Sequence, residues 1–291
     1  MDLCGVIDEA GADVPASAHL RAVSVWWASP ARVARAAAMP SYAELVSVPS
    51  ESVAPAPAPA TLSDAQAASF VMNALTAWGS LRALDLHPGQ TLAVTGAAGA
   101  LGGYLVQPAH RQGVRVLASA SAADEDLVRG FGADAFVGRA EGVEGFREAA
   151  PEGVDVAGAA NLHAAMLPAL TSGGRMAIYR HWGDDPVFIG IHVLYTTVVD
   201  QLSNADAIRE IVTLAGEGEL ATRVADVLPM DDAAAAHHRL TPGHLRGRQI
   251  LTLTTWASHS PTLPSPHAHS VGHLVRERRA GSEPACDTTL Q

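Results

Sequence analysis

Between Thr91 and Val106 the chain reads Thr-Leu-Ala-Val-Thr-Gly-Ala-Ala-Gly-Ala-Leu-Gly-Gly-Tyr-Leu-Val. An apolar run, Leu92 to Val94, meets glycines at three-residue spacing, Gly96, Gly99 and Gly102, and an apolar run then resumes. The pattern predicts a strand, a tight turn and the start of a helix. Glycine in such a turn tolerates positive φ and lets the backbone approach a ligand closely, and the free N–H groups of the helix's first turn attract a pyrophosphate. Dinucleotide binding is the function implied. The spacing is GxxGxxG rather than GxGxxG, however, and similar turns occur in α/β proteins that bind nothing, so on these residues alone both readings stand.

The flanks extend the pattern. Strands are expected at Val114–Ala118, Ala135–Val137, Val154–Ala157 and Met176–Tyr179, and helices at Leu101–Arg111, Glu125–Phe131, Val143–Ala149 and Leu162–Leu170. Near-continuous apolar strands alternating with helices imply a doubly wound parallel sheet covered on both faces. Upstream, Ser63 and Gln66 form a capping-box pattern, and Leu75, Trp78, Leu81 and Leu84 form an apolar stripe, so two helices are expected before Pro88. Pro49, Pro55, Pro57 and Pro59 read as an extended connector, and Ser41–Val48 as a strand. Leu3–Val14 reads as a strand, a turn and a second strand start, whereas Ala16–Pro40 has no clear period beyond a short helix near Ala31–Ala38. Downstream, a strand at Val187–Val193, a helix at Asp206–Ala215, a strand at Ala225–Leu228, a helix at Asp232–Leu240 and a closing strand at Gln249–Thr254 are expected. The stretch 257–291 has no period and is expected to be disordered.

The net charge of −11 disfavours a nucleic-acid or anionic-membrane partner and favours a small molecule. With only Cys4 and Cys286, neither a disulfide framework nor a cysteine-rich zinc site is expected, and a cytoplasmic setting is the plain reading. No apolar run reaches the about eighteen residues that span a bilayer. His267, His269 and His273 lie without a nearby carboxylate or cysteine, so they are not read as metal ligands. At the end of the second sheet strand, Ser119 and Ser121 stand where an NAD-binding chain carries an acidic residue. Small hydroxyl residues leave room for a 2′-phosphate and incline the reading to NADP, with NAD not excluded. Against that, Asp124, Glu125 and Asp126 would repel a phosphate unless they point away, and the nearest basic residues in sequence are Arg115 and Arg129. Pro108 falls inside the helix after the turn, where it removes a backbone hydrogen bond.

Several ordered segments together resemble the medium-chain dehydrogenase/reductase superfamily, of the zinc-independent quinone oxidoreductase type. They are Asn73-Ala74-Leu75-Thr76-Ala77-Trp78, Gly89-Gln90-Thr91, the turn Val94–Gly99 with Gly102, Phe131-Gly132-Ala133-Asp134, Gly173-Gly174-Arg175 and Gly243–Arg248. The resemblance implies an α/β fold, a Rossmann-type domain at residues 74–204 beside a partial GroES-like β-barrel from residues 1–73 and 205–256. It also implies a homodimer that moves hydride from NADPH, without zinc, to a quinone or an α,β-unsaturated carbonyl. Carried over by position, Gly96, Ala98, Gly99, Ala100, Leu101 and Gly102 would meet the pyrophosphate, and Ser119 and Ser121 the adenosine phosphate. Asn73 and Thr76 would lie on the nicotinamide side, and Tyr179 and Arg180 along the cleft. No catalytic residue is assigned; Tyr42 and Tyr179 are candidate proton donors. Relatives carry further residues ahead of Asp2, so the alternative reading is an inactive remnant that at most binds the dinucleotide.

Overall fold

In the computed structural model the described residues are 2–7, 21–25, 46, 48–58, 60–158, 162–180, 190–240 and 245–253, residues 21–25 by their backbone alone. Tyr42, the helix expected at Ala31–Ala38, the expected tail and its histidines lie outside them. Among the described residues no helix is long and apolar enough to cross a membrane.

The chain begins with β1 (Asp2–Val6), β2 (Arg21–Val25) and β3 (Val53–Pro55). β1 and β3 both pair antiparallel with β2, which lies between them. Two expectations are corrected here. β2 lies inside the stretch read as having no period, and β3 lies inside the proline-rich connector. Pro55 is tolerated because β3 is an edge strand, where a missing N–H interrupts no further ladder. Of the strand expected at Ser41–Val48, only Val46 and Val48 are described, and neither is in a strand.

Next come the short helix α1 (Asp64–Ala67) and the long helix α2 (Val71–Leu84). The capping box forms as expected: Gln66 N–H donates to Ser63 Oγ at 3.3 Å, and Ser63 N–H donates to Gln66 Oε1 at 3.1 Å. Leu75, Leu81 and Leu84 are buried, whereas Trp78 is only half-buried and donates Nε1–H to Glu210 at 3.0 Å. A strict three-residue repeat drifts around a 3.6-residue helix, so one member of such a stripe is carried toward the rim.

The principal sheet contains β4 (Thr91–Thr95), β5 (Arg115–Ala120), β6 (Ala135–Gly138), β7 (Asp155–Gly158), β8 (Arg175–Ile178) and β9 (His192–Tyr195). Its order is β6-β5-β4-β7-β8-β9 and every pairing is parallel, as the alternating pattern predicted. The connections carry α3 (Ala100–Arg111), α4 (Glu125–Gly130), α5 (Gly142–Ala149) and α6 (His163–Met166). α6 is shorter than the helix expected at Leu162–Leu170, because a 3-10 turn at Leu167–Ala169 takes over at Pro168, which has no N–H to continue the α pattern. β9 begins later than the strand expected at Val187–Val193.

Side chains alternate across the sheet. Leu92 and Val94 of β4 face one cluster with Val116, Ala118 and the helices α2 and α3, while Ala93 faces the other with Leu117, Phe146 and Met166. Burying one such Leu or Val contributes about 1.5–3 kcal/mol, so covering both faces is what makes the apolar strands read as continuous runs. α7 (Ala205–Gly216) adds Ile208, Ile211 and Val212 to the first cluster. The chain then forms β10 (Val224–Pro229), α8 (Ala233–Leu240) and β11 (Arg248–Thr252), with β10 and β11 paired parallel.

α3 runs through Pro108 without interruption. Pro108 still lacks the N–H that would reach the Tyr104 carbonyl four residues back. Pro108→Ala restores that donor and is expected to raise stability by about 1 kcal/mol, seen as a higher urea midpoint at unchanged slope.

Candidate cofactor site

β4 lies between β5 and β7, so the chain leaves it first toward one edge of the sheet and later returns to build the other. In open parallel sheets that reversal opens a crevice at the C-terminal ends of the strands. The glycine turn sits there, between β4 and α3. Gly96 has φ 66°, a left-handed value that favours glycine. Gly99 N–H donates to Gly96 O at 2.9 Å, and Ala97 N–H donates to Ser119 O at 2.9 Å, which ties the turn to the end of β5.

Gly99 is the N-cap of α3 and offers no side chain to cap it. The first-turn amides of Ala100, Leu101 and Gly102 therefore lack a side-chain acceptor, and they carry the positive end of a 12-residue helix. Gly102 packs on the turn itself: a Cβ there would stand 2.6 Å from Ala97 Cα and would overlap Gly96 O. The site thus has a backbone cradle that a side chain would fill, and open amides suited to an anion. Both observations fit a dinucleotide pyrophosphate.

At the end of β5, Ser121 Oγ–H donates to Asp124 Oδ2 at 2.5 Å. Asp124 is buried and receives two bonds from Arg246, Nε to Oδ1 at 2.7 Å and Nη2 to Oδ2 at 2.6 Å. These bonds hold its carboxyl down at about 2, against the opposing cost of burial. Glu125 is likewise paired, with Arg129 at 2.8 Å. Asp124 and Glu125, two of the three carboxylates expected to repel a phosphate, are therefore each matched by an arginine, and a basic residue does stand at the strand end. Sequence proximity missed Arg246 because it arrives from 122 residues away.

Thr76 Oγ1–H is spent within α2 on Met72 O at 2.9 Å. Ser80 Oγ–H donates to Thr76 O at 2.6 Å, and Ser80 Oγ also lies 2.9 Å from Thr196 Oγ1. Tyr179 follows β8, and its hydroxyl is buried beside Ser80 without a well-formed hydrogen bond. Burial pushes that hydroxyl up to about 12, with Ser80 acting the other way. Arg180, next in the chain, is exposed. Asn73, with its amide oxygen toward Arg248, accepts from Nε at 3.2 Å and Nη2 at 3.1 Å. Arg248 also faces the buried Asp2 carboxylate at 3.9 Å, and Asp2 Oδ1 accepts Met72 N–H at 2.6 Å. Thr76 and Asn73 thus lie on α2, with Tyr179 beside Ser80 of the same helix, and the turn meets the end of β5 through Ala97 and Ser119.

The family described as "Zinc-binding dehydrogenase" matches residues 131–251, from the end of α4 to β11. The chain is similar to "Alcohol dehydrogenase notN" of Aspergillus sp. (strain MF297-2), with 27% identity over 223 residues, 73% of this chain and 63% of that protein. It is similar to the Drosophila melanogaster "NAD(P)H oxidoreductase RTN4IP1, mitochondrial", with 34% identity over 149 residues, 47% of this chain and 34% of that one. A solved NAD-dependent alcohol dehydrogenase shares the fold with a TM-score of 0.70 and 25% identity, over 86% of this chain and 81% of that chain. Residues 131–251 thus match a dehydrogenase family, and the chain shares its fold with a solved dehydrogenase. The match to the first curated relatives spans 21% and 63% of their length. Among the described residues no group of three or more His, Cys, Asp or Glu is placed to hold a metal ion.

Proposed function

We propose that this chain is a medium-chain dehydrogenase/reductase that binds NADPH in preference to NADH on the Gly96–Gly102 turn and reduces a quinone or an α,β-unsaturated carbonyl without a metal, acting as a homodimer. The observation that carries the cofactor reading is the uncapped N-terminus of α3 at the sheet's reversal point, with Gly102 pressed against Ala97. The backbone from Gly96 to Gly102 would hold the pyrophosphate, with Ala98, Gly99, Ala100 and Leu101 forming its walls. When bound, the reduced nicotinamide supplies the hydride.

The chain's own groups do the rest. The open amides of α3 hold negative charge, and the apolar strand ends around them raise the strength of that interaction by keeping water back. Ser119, Ser121 and Arg246 would face the adenosine end. Asp124 uses Nε and Nη2 of Arg246, leaving Nη1 outside the pair as a donor for a 2′-phosphate. Asn73, Thr76, Tyr179 and Arg180 would border the nicotinamide end. With its hydroxyl raised to about 12, Tyr179 keeps its proton at neutral pH, which suits a hydrogen-bond donor or a weak acid rather than a base.

Fluorescence titration of NADPH and NADH tests the binding reading, followed by turnover with an ortho-quinone and with an enone. Saturable quenching or shift of NADPH emission is expected, and its absence at saturating concentration sinks the proposal. Arg246→Gln is expected to weaken NADPH about tenfold, or ~1.4 kcal/mol, while leaving NADH nearly unchanged.

A further inference from the structure

Arg223 precedes β10, far from the glycine turn in sequence, yet its Nη2 donates to Ala98 O at 2.8 Å and to Gly99 O at 3.0 Å. Its guanidinium carbon lies 5.2 Å from the centre of the Phe131 ring. Phe131 in turn packs on α3 at Gly103, where a Cβ would stand 3.0 Å from Cε2. The main chain of Arg223 is anchored as well, because its carbonyl accepts Arg248 N–H at 3.0 Å. Gly247 makes that approach possible, with φ 128° and space so tight that a Cβ would meet Arg223 O at 2.7 Å. Nη1 of Arg223 is buried without a partner. An unsatisfied buried donor opposes folding, so stability alone does not account for an arginine here.

The peptide group links these contacts to ligand binding. In a planar trans peptide the C=O and the next residue's N–H point in opposite directions. Fixing the Gly99 carbonyl on Arg223 therefore fixes the Ala100 N–H on the opposite side, at the open end of α3. We propose that Arg223 is a positioning residue: by holding the Gly99 carbonyl it aims the Ala100 N–H at the pyrophosphate, while its bond to Ala98 O braces the turn, whose Gly99 N–H is spent on Gly96 O. This inference rests on the dinucleotide reading above.

The test titrates wild type, Arg223→Met and Arg223→Lys with NADPH and with ADP-ribose, which carries the pyrophosphate without the nicotinamide. Thermal unfolding is followed in parallel, with the remote core variant Ile208→Val as a stability control. Arg223→Met is expected to lose at least about tenfold in affinity for both ligands, with Arg223→Lys between it and wild type. Ile208→Val is expected to keep wild-type affinity despite a lower unfolding midpoint. Wild type binding neither NADPH nor ADP-ribose would overturn the dinucleotide reading and this inference together. Wild type binding normally while Arg223→Met loses no more than Ile208→Val would overturn this inference alone. Should Arg223→Met fail to fold, unchanged affinity in Arg223→Lys overturns it instead.

Discussion

Gly102→Ala is expected to abolish dinucleotide binding and to lower stability by about 3 kcal/mol, the upper end of what overpacking a rigid site costs. The added Cβ would stand 2.6 Å from Ala97 Cα and would overlap Gly96 O, both backbone atoms that no rotamer change can move aside. Relief has to come from lifting α3 away from β4. That movement displaces the amides of Ala100 and Leu101, and it opens the contact between α3 and the Leu92–Val94 face of the sheet. Gly130→Ala is the matching control, because a Cβ there meets nothing within 4 Å. It is expected to change stability by less than about 0.5 kcal/mol and to leave binding intact. Denaturant unfolding and NADPH titration read both effects. Wild-type affinity in Gly102→Ala would remove the turn from the site.

Asp124→Asn is expected to cost about 2 kcal/mol, since it leaves Arg246 facing a neutral amide in a largely buried pair. The pH dependence carries a sharper signature. The Asp124 carboxyl is held at about 2 in the folded chain against an ordinary value of 3.8. Its contribution is therefore complete above 3.8 and disappears as the pH falls through about 2, because the unfolded chain binds the proton first. Asp2 behaves oppositely, since burial raises its carboxyl above 3.8 and Arg248 only partly offsets it. Its contribution is present at low pH and is lost as the pH rises through its folded value. Stability measured from pH 5 down to 2 should fall less steeply in Asp124→Asn than in wild type. An unchanged slope would mean that the Arg246 pair does not persist in solution.

Local chemistry made much of the architecture legible. Leu92–Val94, Val116–Ala118 and Val154–Ala157 are uniform because they are buried on both faces, and such runs announce a covered parallel sheet without reference to distant residues. The turn was equally visible, because Gly96 needs a positive φ and Gly102 needs the absence of a Cβ. The site was legible only at its centre. Ser119 and Ser121 lie at the end of β5, yet the arginines that meet Asp124 and the turn there, Arg246 and Arg223, come from more than a hundred residues further along. The Gly243–Arg248 segment stood out as a resemblance, but nothing local says what its arginines touch, and Arg223 carried no signal at all.

The amino-acid sequence by itself determined the strand, turn and helix from Thr91 to Arg111 and the alternation that builds the sheet, because those follow from backbone sterics and from a repeat of apolar positions. Tertiary structure alone decided that Arg21–Val25 and Val53–Pro55 are strands, since each exists through pairing with a partner distant in sequence. It also decided that Asp124 is paired with Arg246 and that an arginine grips the Ala98 and Gly99 carbonyls. A charge reveals its identity in the sequence, but its partner depends on which loops the fold brings together, and short-range bonds of this kind have no periodicity to read.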